Sequence, residues 1–474
     1  MPTPWLPQDT TTLALYGAYE DEPQRPGAPR PAYGHSTDGR DDLTQVLLSL
    51  GVSGDGGIPL RIGVRDGHHS DSVETPVAIE ECLALGLEGV HGIVADSKAY
   101  SRRTLGLCLE HKLGLVTLVP RTWAVRQELE AWGRQQSALP LLVEKPGRTK
   151  NEAPRRWHGQ SVIRRVEVEY SEGRVAQEER RFVVVHSNQL AQQQAQTYTV
   201  AQEKEAQTIA DHVQRVPAQW CACEVDAEAA SAEYEGRGQG RRGRRPRPWR
   251  YHAVRYRRGA ATRRTRRARR GRPAKAESPP MEAGYRLLVE VEPLANLEED
   301  NGWAVLATTV RAEAYADAEM LQAYQEQNTT VEPGFRWIKN PAAIAPVWLE
   351  KPERMAALAM LTVVGLLVST VIQRQVRLHL RTHNQQVPGN KGATATPTAA
   401  VVVALFAQVA LVQFWLGEQD GQQVYGIQPH HLLICDALGL PHSWYATPLV
   451  HKNVRDVRSL SRGVATPTRV QNRT

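Results

Sequence analysis

Cysteine is scarce in this chain of 474 residues: there are five, at positions 82, 108, 221, 223 and 435. They make no disulfide framework and fit a reducing cytoplasm. Cys221 and Cys223 form a C-x-C pair with no second ligand pair, and His430–His431 is equally isolated, so zinc is not expected. The first residues carry neither a basic region nor an apolar stretch, which argues against a secretory signal. Long hydrophobic runs are also few. Residues 355–372 carry no charge and are long enough to raise a membrane span. Residues 399–416 form a second run, interrupted by Gln408 and Gln413. Both read as buried core helices, because a helix apolar all round can equally sit inside a large soluble core. Acid is missing from one segment: residues 237–272 hold 17 arginines and no Asp or Glu. The net charge of +7 therefore leaves about −10 on the remainder. The segment is expected to be a disordered basic loop or, since arginine forks match phosphate oxygens, a contact for a polyanion.

What is present points to an α/β protein. Residues 92–98 read as a short buried strand, branched and apolar, that ends in Asp96. Two apolar runs precede it, residues 43–50 and 58–64. The glycines of residues 53–57 between them supply the positive φ of a tight reversal. A helical spacing follows over 72–85, another over 101–111, and a further apolar run over 115–119. Strand formers at residues 10–16 complete the order: three antiparallel strands, a helix, the Asp96 strand, a helix, a fifth strand. Pro2, Pro4 and Pro7 limit how far the first strand reaches, so it is expected to begin at about Asp9.

The texture changes near residue 140. Strands are expected over 161–170 and 180–185, a helix over 189–213, then the arginine segment interleaved with Trp249, Tyr251 and Tyr256, then strands over 285–291 and 303–308. Residues 136–315 thus form a mainly β insertion with a basic loop at 236–275. It separates a first part, 1–135, from helices over 316–380 and a helical extension and tail over 381–474. Seven residues separate Glu332 from Lys339, nearly two turns of helix, which places an acid and a base on one face. Singly, Asp9 and Asp96 read as caps and Glu332 as a surface charge. His35, His68 and His69 read as loop hydrogen-bonders. The glycines of 236–243 make no phosphate loop, lacking a preceding strand and a closing Gly-Lys-Ser/Thr.

Taken together, Asp9-Thr-Thr, Gly34-His-Ser, Asp66-Gly with Ser70-Asp71, Val94-Ala-Asp96-Ser, Glu332-x-x-Phe335-Arg336 with Lys339, and Lys351-Pro-Glu-Arg354 make the chain resemble the DDE transposases of bacterial insertion sequences. The branch it looks most like is the insertion-sequence-four superfamily. The resemblance implies a ribonuclease H-like mixed sheet flanked by helices, with the first and fourth strands adjacent and a β insertion before the Glu. It implies that Asp9, Asp96 and Glu332 hold two Mg2+ ions, with Mn2+ as substitute. The reaction would be cleavage and strand transfer of double-stranded DNA at insertion-sequence ends. It further implies Tyr324, Arg336 and Lys339 at phosphates, a homodimer in the DNA complex, a cytoplasmic location and no membrane. Arg241, Arg244 and Arg266 are expected to contact DNA, although the arginine segment is outside the family pattern.

Three departures are plain. Gln327 stands where the family signature has Arg. Pro333-Gly334 follows the Glu directly, which is expected to weaken the helix there. Only eight residues precede Asp9, which suggests a truncated or decayed copy. The alternative is a non-catalytic nucleic-acid-binding protein that acts through its arginine segment.

Overall fold

The computed structural model describes residues 5–16, 19, 27–86, 90–147, 149, 152–215, 220–235, 249–264, 281–294, 301–340, 351–416, 419–446 and 449–451. The chain is mixed α/β and divides into two compact units. The first comprises Met1–Pro120, Ile163–Phe182 and Leu306–Thr474, and the second Arg121–Val162 and Val183–Val305. The change of unit thus falls at 121 and 306, against 136 and 316 expected from composition. Residues 163–182 belong with the first unit.

In the first unit a mixed sheet is built on β1 (Trp5–Ala14), β2 (Gln45–Val52), β3 (Pro59–Arg65), β4 (Gly92–Ala95) and β5 (Gly114–Leu118), in the order β3-β2-β1-β4-β5. β1, β2 and β3 pair antiparallel in succession, while β4 lies parallel to β1 and β5 parallel to β4. The β2–β3 reversal uses Gly56 and Gly57, at φ 154° and 68°, as the glycine run leads one to expect. β1 begins four residues earlier than expected and passes through Pro7. Its antiparallel pairing with β2 starts only at Gln8, so residues 5–7 run beside β4 alone and Pro7 has no β2 partner to disappoint.

Both faces of this sheet are covered, which is why every residue of β2 is buried. One face carries α1 (Asp71–Ala84), with α2 (Arg102–Glu110) beside it. After α3 (Ala124–Arg134) and α4 (Asn188–Arg215) of the second unit, the other face receives two further helices. A fifth helix, α5 (Glu224–Glu235), also lies in the second unit; α6 (Asp317–Ile338) and α7 (Pro352–Thr382) return to the first. Leu13, Leu48 and Leu50 pack with Val331, Phe335 and Ile338 of α6 and with Met355, Val363 and Leu366 of α7.

The Pro333-Gly334 pair, expected to weaken the helix, lies inside α6, which is continuous to Ile338. Pro333 is exposed, so the missing N–H bond faces water. Gly334 serves the interior, since a Cβ there would stand 3.1 Å from Leu50 Cδ2 and 3.4 Å from Leu366 Cδ2. Gly334→Val is therefore expected to cost about 1–3 kcal/mol by overpacking, measurable as a lower urea midpoint.

The two apolar runs also depart from expectation. α7 buries one side only; Leu361 is 70% exposed. By length and composition its Arg354–Thr382 stretch could cross a membrane, with 28% of its most apolar window buried. The second run is a short helix, Ala399–Leu405, and then a strand, Ala410–Leu416, paired with Gln419–Tyr425. Val409 adopts extended backbone where the two meet, and an apolar run alone does not distinguish helix from strand.

In the second unit the arginine segment is not all loop. Residues His252–Arg264 form a strand antiparallel to Met281–Pro293. Three of its five arginines are matched by acids: Arg257 with Glu290 at 3.1 Å, Arg263 with Glu282 at 3.0 Å, and Arg258 with both Glu224 and Glu228 of α5. Opposite charges facing each other across a strand pair stabilise it, and those acids lie outside the segment whose composition suggested a loop. Arg241, Arg244 and Arg266 lie outside the described residues.

Candidate functional site

The β1–β4 register sets the site. Trp5 is paired with Gly92 and Gln8 with Ala95, so one further step of the same register sets Asp9 opposite Asp96. Parallel strands 4.7–4.9 Å apart bring two such side chains together without help from a loop. Each carboxylate also makes local bonds. Asp9 Oδ1 accepts the Thr10 N–H at 2.8 Å. Asp96 Oδ1 accepts the Lys98 N–H at 3.0 Å, capping the short turn that follows. The Thr117 hydroxyl donates to the Asp96 carbonyl at 2.5 Å and fixes the strand end from β5.

A third carboxylate, noted in the sequence only within Ser70-Asp71 and given no site role there, joins them. Asp71 is the first residue of α1, where a helix N-terminus favours negative charge. It accepts the Thr10 hydroxyl at 2.6 Å, which ties it to the residue after Asp9, and it forms an ion pair with Lys98. Three acids and one lysine thus meet where the middle of β1, the carboxyl end of β4 and the start of α1 come together. Ser70-Asp71 at the start of the helix after β3, and a lysine two residues past Asp96, are the signals that could have pointed to them.

The electrostatics follow from this crowding. The Asp9 carboxyl is raised to about 7: burial is the main cause, the charges of Asp96 and Asp71 add to it, and the Thr10 N–H and Lys98 hold it back. Burial also raises Asp96, with Asp71 adding to the effect and Lys98 opposing it. Burial alone would lower Lys98, but its bond to Asp71 and the charges of Asp96 and Asp9 leave it raised. Without metal, then, Asp9 keeps its proton to about neutral pH in the fold but loses it near pH 4 in the unfolded chain. Stability from this group is full in acid and is lost as pH rises toward 7. The expected result is that, in EDTA, the melting temperature of Asp9→Asn minus that of the wild type grows between about pH 4 and 7 and levels off above. A difference that does not change with pH would contradict it.

Glu332 is placed differently. It lies on α6 with its side chain 61% exposed, and its ion pair is Arg336, at 3.9 Å. α6 is nonetheless anchored beside the aspartates. Gln327, buried where the family signature has Arg, donates to the carbonyl of Gln8 at 3.1 Å, one residue before Asp9. Lys339 donates to both oxygens of Asp38 at 2.8 Å and to Thr37 at 3.2 Å. Thr37 in turn bonds Thr12 of β1, at 2.9 Å between hydroxyls. Tyr324 is half-buried. The structure therefore brings Asp9 and Asp96 together, adds Asp71 and Lys98, and leaves Glu332 on the solvent side of its helix. Among the described residues no three Asp, Glu, His or Cys side chains are arranged to hold a metal ion.

The donor set still suits a hard cation in kind. Closely spaced carboxylates that raise one another's proton affinity are what Mg2+ neutralises, and Mg2+ needs only one or two of them beside water and phosphate oxygens. Neither the known protein families nor the curated proteins compared with this chain match it.

Proposed function

We propose that the chain is a metal-dependent DNA-strand transferase of the transposase type, with a ribonuclease H-like sheet and with Asp9 and Asp96 as its central acids. The single observation that carries this reading is the β1–β4 register: Asp9 within β1 and Asp96 directly past the end of β4 fall side by side on adjacent parallel strands of a sheet ordered β3-β2-β1-β4-β5. Divalent ions, when bound, supply Lewis acidity for an in-line displacement at phosphorus.

Everything else falls to the side chains. Asp9 and Asp96 provide the negative charge that holds the cations, and Asp71 sets the position of Thr10 and Lys98 beside them. Lys98 offsets the charge of the three acids in the free chain, a role that a bound cation takes over. Glu332 is the acid that α6 would add, on release of its pair with Arg336. Arg336 is 79% exposed and is left for phosphate. Lys339 is engaged by Asp38, so it positions the loop before β2 against β1 and reaches DNA only after giving up that pair.

The test is strand cleavage of labelled duplex DNA carrying candidate element ends, with Mg2+ or Mn2+ against EDTA, for wild type and Asp96→Asn. Activity that needs the metal and is lost in the variant supports the reading. Activity that is indifferent to Asp96 removes it.

A further inference from the structure

Away from the aspartates, the first unit has a cleft of about 670 Å³ between the β2–β3 turn, the middle of α6 and the last turns of α7. One wall is a row of arginines on α7: Arg374, Arg377 and Arg381. Spacings of three and four residues put all three on one face of the helix. Their circumstances differ. Arg374 is neutralised by Asp55 of the β2–β3 turn, Nη2 to Oδ2 at 2.5 Å and Nε to the same oxygen at 3.1 Å. Arg377 is half-buried, and its Nε donates to the carbonyl of Pro397 at 2.8 Å. That bond orients the guanidinium, and among the described residues its Nη groups have no hydrogen-bond partner. Arg381 is exposed one turn further on. Among the described residues neither Arg377 nor Arg381 has an ion-pair partner.

Like charges four residues apart on a helix destabilise it, and desolvation adds to the cost. Burial and the neighbouring Arg381 both lower the proton affinity of Arg377. A fold that holds two cations side by side, one of them oriented by a backbone carbonyl, leaves room for an anion with several oxygens. Asp55 does not compete, since it is committed to Arg374. Glu326 on the opposite wall is engaged by the side-chain amide of Gln322 at 2.8 Å.

We propose that Arg377 and Arg381 bind backbone phosphates of duplex DNA in this cleft, with Arg374 locked by Asp55 as the support that keeps the row straight. The identity of the polyanion rests on the function proposed above; the geometry of the cleft does not depend on the aspartates.

The experiment measures binding of a fluorescent duplex to the full chain in EDTA, as a function of salt. The variants are Arg381→Gln, at an exposed position, and Arg377→Gln/Arg381→Gln. Removing one arginine–phosphate bond is expected to reduce the slope of log Kd against log salt by about 0.9, so the two variants should fall by about one and two respectively. The double variant should bind about tenfold more weakly at physiological salt. Unchanged slopes and affinities, in variants whose thermal melts match the wild type, overturn the proposal. So does stabilisation by inorganic phosphate that the variants lose while their DNA slopes stay put, because the cleft then serves a free phosphate. Loss of metal-dependent cleavage in Asp96→Asn with unchanged salt slopes in the arginine variants condemns the cleft alone. Reduced slopes in a chain that never cleaves DNA condemn the catalytic reading alone.

Discussion

Replacing Glu74 by leucine is expected to destabilise the first unit by about 3–5 kcal/mol, because it strands a buried cation. Glu74 is fully buried on α1 and is held from β3 by two arginines: Arg61 Nη2 at 2.6 Å on one oxygen and Arg65 Nε at 2.8 Å on the other. Arg61 also donates to Ser49 at 2.7 Å, and Gln8 donates to the same hydroxyl at 2.7 Å. The network therefore joins α1, β3, β2 and β1, and it ends one residue from Asp9. Removing Glu74 leaves the 2%-exposed Arg61 side chain with Glu81 as its only remaining carboxylate. Glu81 is 41% exposed, and its loss as Glu81→Ala should cost only about 1 kcal/mol. Urea melts of the two variants check the contrast; equal small losses would show that water reaches Arg61.

The same pair gives a pH signature. Burial works to raise Glu74, but the bonds from Arg61 and Arg65 outweigh it and hold the carboxyl below the ordinary range near 4.5. A carboxyl lowered by folding contributes stability above its unfolded pKa and loses it as pH falls through the folded value. Acid unfolding of the wild type should therefore steepen below about pH 4.5, and Glu74→Gln should flatten that limb.

How much of this was legible in the sequence depends on the range of the interaction. The β2–β3 hairpin was, because Gly56 and Gly57 dictate it locally, and so was Asp96 at a strand end, because branched residues stop there. The entry of β1 was not. Pro7 argues against a ladder on its own, and only the knowledge that β2 stops short of it removes the objection. Composition misread residues 252–264, because the glutamates that neutralise their arginines sit in α5 and on the facing strand. How far Pro333 disturbs α6 is likewise not a local matter: it depends on whether the carbonyl left unpaired faces water, which is a tertiary fact. Asp71 stands in the Ser70-Asp71 stretch and Lys98 follows Asp96 by two residues, but neither could be assigned to the site until α1 is laid against the end of β4.

The second large effect concerns chemistry. Asp96→Asn is expected to lower metal-dependent strand cleavage by about 10³-fold or more, which is about 4 kcal/mol of transition-state stabilisation, while DNA binding in EDTA stays at the wild-type level. The loss should exceed that of Asp71→Asn. Asp71 acts through Thr10 and Lys98, and removing such a supporting group typically costs about 10- to 100-fold. Glu332→Gln then decides how the site is completed. If α6 turns its acid inward when metal and DNA arrive, this variant should fall as far as Asp96→Asn, and Arg336→Gln, freed of its partner, should weaken DNA binding without a comparable loss of rate at saturating DNA. If Glu332→Gln keeps its rate, the exposed pair with Arg336 is the whole story of that residue. Asp71 is then the acid left to complete the set, and the penalty for Asp71→Asn should rise to match that of Asp96→Asn, because it would lose a ligand and not only the support of Thr10 and Lys98.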